Sequence, residues 1–286
     1  MEKSGEDKSN TGILMMIIAT ICFSLVAVMV KSLSYLPVME IVFFRNIPTM
    51  LIIPLILKNK KISFWGNNKP LLLFRSLLSC FGVVSYFYTI TVMVLTDAVT
   101  IKQLSPIFIL LLASIFLGEK IDNKKIIIFA LAFLGALLVV KPGFYLDIFP
   151  AVIALLGAIV TAGSHVAVRS LRLTDHPLVI VNYFGYSIGI ISLGILFWQG
   201  NFIIPDAVSL VILLLMGLVG LAGQFALTKA YQKAPTKLIS LYLYLQIIFG
   251  AILGILFFKE TPDLFSIFGA FLIIICGYLN YKFKTE

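Results

Sequence analysis

Charge is scarce in this chain. Of its 286 residues 12% are Asp, Glu, Lys or Arg and 60% are hydrophobic, and the mean hydropathy is +1.08. Soluble domains carry about 25% charged residues, so an ordinary water-facing surface is excluded and lipid must solvate most of the chain. Cysteine is equally sparse. Cys22, Cys80 and Cys276 each lie inside an apolar run, which argues against a disulfide framework or a thiolate metal site and reads as small buried hydrophobes. The histidines are His165 and His176, and HExxH, P-loop, CxxC and GxSxG signatures are missing. That pattern argues against metalloprotease, ATP-driven and nucleophile-elbow chemistry, and no cofactor is expected. Strand-like alternation is absent and the apolar runs are too long for barrel strands.

Long apolar runs separated by short polar breaks fill the space these absences leave. They lie near 12–31, 37–57, 70–93, 97–117, 124–141, 148–169, 177–198, 206–230, 237–258 and 263–282. About 20 apolar residues span a bilayer as a helix, and in lipid each backbone group must find its partner within the segment. The expected fold is an all-α polytopic membrane protein with ten transmembrane helices. MEKSGEDKSN mixes both charge signs and has no small-x-small cleavage site after it, so residues 1–11 read as a tail before a retained first helix.

The basic residues orient the spans. Lys3, Lys8, Lys58, Lys60, Lys61, Lys69, Lys120, Lys124, Lys125, Arg169, Arg172, Lys229, Lys233, Lys237, Lys282 and Lys284 fall on the side of the termini, and Lys31, Lys141 and Lys259 on the other, 16 against 3. Positive residues accumulate in cytoplasmic loops. Both termini are therefore expected in the cytoplasm, the membrane being the cytoplasmic (inner) one. The net charge of +9 then reports topology, and no nucleic-acid partner is expected.

The chain repeats itself. LSPIFILLLASIFLGEK at 104–120 resembles LQIIFGAILGILFFKET at 245–261, and VMVKSL at 28–33 resembles VAVRSL at 166–171. The repeats are assigned as 12–141 and 148–282, five spans each. Five is odd, so the second copy enters the membrane inverted, and the partners Lys31 and Arg169 fall on opposite sides. Inverted repeats are an architecture of secondary transporters, with the substrate near the midplane between the copies.

The two helix ends just quoted, each with a Glu near its close, and the glycine-bearing helices FALAFLGALLV and FGAFLIIICGYL resemble the EamA branch of the drug/metabolite transporter superfamily over nearly the whole chain. MEIVFFRN and LFRSLLSCFGVVSYFY are similar to S-adenosylmethionine-uptake members of that branch. The second copy carries Ile247 where the family usually places proline, the match of Pro106. The resemblance implies a central cavity lined mainly by the first, third, fourth, sixth, eighth and ninth helices, and a small amino acid, amine or nucleotide-linked substrate.

Candidate site residues follow from polarity inside the spans, where a charge costs about 2.5–3.5 kcal/mol at the helix centre. Arg45 lies deep in the second span, with Glu40 five positions nearer its outer end, and its partner is a carboxylate, exposed carbonyls or the substrate. Arg75 is near the cytoplasmic end of the third span and reads as structural, snorkelling to the surface. In TDAVTIKQLSP, Pro106 removes a backbone donor and frees a carbonyl, which points to Lys102 and Gln103 as cavity residues, with snorkelling the alternative for Lys102. Polar stripes run through Thr20, Ser24 and Lys31; Ser85 and Thr89 beside Tyr86 and Tyr88; Thr161 and His165; and Tyr242 and Gln246. Ser24, Tyr86, Tyr88, His165, Tyr242 and Gln246 join Lys102 and Gln103 as substrate-binding candidates, and His165 is additionally a possible proton switch. Glu119 and Glu260, at helix ends, set loop geometry or pair with Lys120 and Lys259. With Glu40, Arg45 and Arg75 they form the structural or gating charges. The expected partners are a small-molecule substrate and the lipid bilayer, the working unit a monomer or homodimer. The rival classes are an intramembrane lipid-modifying enzyme, which needs clustered acids or histidines at one depth, and a passive channel.

Overall fold

The computed structural model describes residues 2–117, 123–140, 148–234, 239 and 242–282. Among them are eleven helices and no strand: α1 (Glu2–Ser32), α2 (Val38–Asn59), α3 (Lys69–Val92), α4 (Leu95–Lys102), α5 (Ser105–Leu117), α6 (Asn123–Val140), α7 (Ile148–Leu171), α8 (Pro177–Gln199), α9 (Ala207–Lys233), α10 (Leu245–Phe258) and α11 (Leu264–Lys282). Six are long and apolar enough to cross a membrane: α1 from Asn10 onward, α2, α3, α7, α8 and α9. α10 and the Leu264–Cys276 part of α11 are apolar but shorter.

Local chemistry sets several ends. Asn68 accepts from the Leu71 N–H to start α3, with proline in its first turn, and Asp206 accepts from the Ser209 N–H to start α9. Gly200, at φ +65°, closes α8. The first helix begins ahead of its span, at Glu2. One expectation is corrected. The fourth run, expected as one helix, is two. The Gln103 N–H is shared between the Val99 and Thr100 carbonyls, Leu104 N–H bonds the Ile101 carbonyl, and Pro106 has no N–H to continue the ladder. A matching turn precedes α10, where the Ile247 N–H meets the Tyr244 carbonyl as the Ile107 N–H meets that of Leu104. The second copy therefore keeps the turn without the proline.

The helices pack in reciprocal pairs. Match α1, α2, α3, α4–α5 and α6 with α7, α8, α9, α10 and α11. The contact of α1 with α9 then mirrors that of α7 with α3; α1 with α10 mirrors α7 with α5; α2 with α9 mirrors α8 with α3; and α2–α8, α4–α10 and α6–α11 are their own mates. α3 and α7 run antiparallel, with Ser79 against Ser164 and Ser85 against Gly157. Small residues permit these close approaches. The loop clasps are reciprocal too. Asp175, ahead of α8, accepts from the Asn67 N–H (2.6 Å) in the α2–α3 loop, while Glu40, in the first turn of α2, accepts from the Ile203 N–H (3.0 Å) in the α8–α9 loop. Large apolar side chains such as Leu51, Phe81, Ile190, Leu256 and Phe268 point outward, an apolar surface suited to a membrane.

Candidate functional site

On α3 the residues Ser79, Gly82, Val83 and Tyr86 recur at helical spacing, and on α7 Thr161 and His165 stand one turn apart. Those stripes meet the α4–α5 break, which brings Lys102, Gln103 and Ser105 to one level. Gln224 of α9, Gln246 of α10, Arg45 of α2 and Phe184 of α8 complete a cavity at the seam of the two halves. About 80 Å³ of it is accessible to water, so it is narrow in this conformation.

The cations in and around it rest on rings. The Lys102 ammonium lies 3.8 Å from the Tyr86 ring centre and 5.6 Å from that of Phe23, and the Arg45 guanidinium lies 5.3 Å from Phe87. Ring faces attract cations through their quadrupole. Gly220 makes room for Arg45, since a Cβ there would stand 2.8 Å from Nε. Gln103 donates to the Gln246 side-chain carbonyl, tying the break in the first half to α10 in the second. His165 is hydrogen-bonded to the Tyr231 hydroxyl at 3.3 Å. Among the described residues no three His, Cys, Asp or Glu side chains are grouped to hold a metal.

Of the eight substrate-binding candidates, Tyr86, Lys102, Gln103, His165 and Gln246 meet in this cavity. The other three do not line it. Ser24 turns back to the Thr20 carbonyl (2.9 Å), Tyr88 packs edge-on against Phe149, and Tyr242 packs against an apolar cluster. Among the charges, Arg45 lines the cavity, and an aromatic face takes the place of the carboxylate or carbonyl partner expected for it. The snorkelling read for Arg75 is corrected: it is 1% exposed, with its guanidinium 5.1 Å from the Phe184 ring, because α8 covers the path to the surface. Glu40 is fully buried. Glu260 pairs with Lys31 rather than Lys259, and its other oxygen accepts from the Leu95 N–H (2.9 Å). Lys31 also donates to the Met93 carbonyl (2.7 Å), so one cluster ties α1, the α3–α4 junction and the end of α10. Glu119 lies outside the described residues. Gln224 is a cavity residue beyond those candidates, and its amide inside an apolar run is a legible signal.

A cavity lined by both polar and aromatic side chains at the seam of two matched helical halves, under an exposed apolar surface, defines a multi-pass membrane transport protein. The model of the EamA-like transporter family matches residues 10–141 and again 148–281, and the chain belongs to that family. It is 34% identical over 272 residues to the pseudopaline exporter CntI of Pseudomonas aeruginosa, across 94% of this chain and 95% of that one. It is 26% identical over 239 residues to the S-adenosylmethionine uptake transporter of Rickettsia felis, across 82% and 80% of the two chains. A solved crystal structure at 14% identity superposes with a TM-score of 0.72 over 94% of this chain and 96% of the other, a likeness of fold. The chain is a small-molecule transporter.

Proposed function

We propose that this protein is a secondary carrier of a small polar metabolite, an amino acid, amine or nucleoside-like solute such as S-adenosylmethionine, working by alternating access. The reading places it in the cytoplasmic membrane with ten spans in two inverted five-helix repeats (12–141 and 148–282) and both termini in the cytoplasm. The observation that carries it is the narrow cavity, with polar and charged side chains among its liners, on the seam between halves whose contacts exchange in pairs. Such a seam offers two equivalent packings, each half adopting the other's arrangement. The Lys31–Glu260 pair joins the halves at the end opposite the basic loops and serves as an outer latch. The working unit is a monomer or homodimer. The alternation of basic loops supports the orientation, and the names of the two relatives support the solute classes.

Counterflow in proteoliposomes tests the reading. Vesicles preloaded with unlabelled solute should accumulate the labelled form transiently and saturably, with S-adenosylmethionine and a panel of amino acids, amines and nucleosides as probes. Substituting Gln246→Leu should abolish it. Unsaturable flux would indicate a channel, and no flux across the panel would refute the carrier.

A further inference from the structure

Arg45 and Lys102 line the same cavity, and among the described residues no Asp or Glu lines it with them. Among the described residues neither cation has a hydrogen bond or an ion pair, and Nε and Nη1 of Arg45 are buried without an acceptor. Among the described residues the nearby acids along the chain make no ion pair with either cation. Glu40 accepts from the Ile203 N–H through one oxygen and its other is buried without a partner, Asp97 accepts from the Ser266 hydroxyl, and Glu260 is held by Lys31 and the Leu95 N–H. The rings of Phe87 and Tyr86 attract the charges from above, but a ring face offers nothing to N–H groups lying in the guanidinium plane. Buried charge in a membrane protein is ordinarily matched, and here the match is missing on the protein's side.

We propose that the cavity binds its solute through an anionic oxygen group, a carboxylate or a phosphate, held between Arg45 and Lys102. The proposal rests on the carrier reading of this cavity and names the chemistry it selects. Guanidinium presents a planar pair of donors that fits either anion, and the ammonium supplies the second charge. Gln246 contributes a further buried donor, since its Nε2 has no partner. The remaining polar liners are neutral and suit the rest of a zwitterion. A solute with positive charge alone would face two cations and no counter-charge.

Thermal unfolding of the full-length protein in nanodiscs at constant ionic strength provides the test. The probes are acetate, inorganic phosphate, and three matched pairs: L-histidine with L-histidinamide, L-glutamine with its C-terminal amide, and adenosine monophosphate with adenosine. Spermidine serves as the purely cationic probe. The expected result is a rise in the unfolding midpoint with carboxylated or phosphorylated members, and an affinity roughly 10- to 100-fold weaker for the partner lacking the anion, the range of one charge-assisted bond. Which pair responds separates carboxylate from phosphate. In R45Q and K102Q the preference should vanish, and in K102R it should persist. Should R45Q fail to fold, K102Q and K102R carry the comparison alone. Equal stabilisation by both members of every pair, no shift with any anionic probe, or stabilisation by spermidine that K102Q leaves unchanged overturns the proposal. Anion-dependent binding without counterflow would sink the carrier reading and leave this one standing. Counterflow of a solute without an anionic group, undiminished in K102Q, would do the reverse.

Discussion

If the protein is a carrier with the Lys31–Glu260 pair as its outer latch, neutralising the pair should release that latch. The two side chains are 15% and 17% exposed, so solvent screens them only in part. Each also anchors a backbone group of the α3–α4 junction, the Met93 carbonyl and the Leu95 N–H. Glu260→Gln keeps the shape and removes the charge, leaving the Lys31 ammonium without its counter-ion. Loss of a hydrogen bond to a charged group is worth about 1.5–3 kcal/mol. Taking about 2 kcal/mol gives roughly a 30-fold shift away from the closed outer face. Nitroxide labels at the exposed Ser34 and Thr261 report that face, and pulsed dipolar spectroscopy in nanodiscs reads their separation. E260Q and K31M should each add a longer-distance population. The double variant should resemble either single one. Two single effects that simply add, or distributions that never change, would show that the halves are not latched by this contact.

Glycine positions provide a contrast. A Cβ at Gly157 would sit 2.9 Å from the Ser85 Cβ, so G157A should lower stability by about 1–3 kcal/mol. Gly194 in α8 has nothing within 4 Å, so G194A should gain roughly 0.5–1 kcal/mol from helix propensity, both read as unfolding midpoints. G66A combines a left-handed backbone, φ +64°, with a Cβ 2.7 Å from Leu72, and should destabilise by at least about 1 kcal/mol in the same assay. D175A leaves the Asn67 and Asn68 N–H groups without their acceptor and should cost about 1–3 kcal/mol, with faster proteolysis of the α2–α3 loop. His176 accepts from the Leu178 N–H, and burial, then the nearby Lys60 charge, push its pKa below the ordinary value. The folded state thus holds this proton less tightly than the unfolded one, so its contribution is whole above about pH 6.5 and lost as pH falls through the lowered value. The stability difference between wild type and H176N, plotted from pH 7.5 to 5, should narrow on acidification.

Much of the helical layout could be read from the chain, because lipid demands long apolar runs and tolerates little else. Pro106 marked a weak point in the fourth run, and with it Lys102 and Gln103, although the run read as one helix. The turn before α10 was not legible, because Tyr244 and Ile247 carry no comparable mark. Rotation of helices about their axes was the main blind spot. A helix apolar on nearly every side has no amphipathic stripe to say which face meets the cavity, so Ser24, Tyr88 and Tyr242 were grouped with residues they do not join. Long-range pairing was the other. Nothing near Arg75 announces Phe184, and nothing near Glu260 announces Lys31. Those partners arise from the way the halves interlock, which local spacing does not encode.

The covering of Arg45 and Arg75 by Gly220 and Phe184 has a consequence for how the protein is made. Both arginines leave the ribosome well before the helices that shelter them. At the usual 5–20 residues per second, the wait for α8 and α9 is on the order of ten seconds. During that interval α2 and α3 carry two charged groups with no finished wall beside them. Insertion of the early helices and completion of the interior are thus separate events, and the later helices act as the chaperone of the earlier ones.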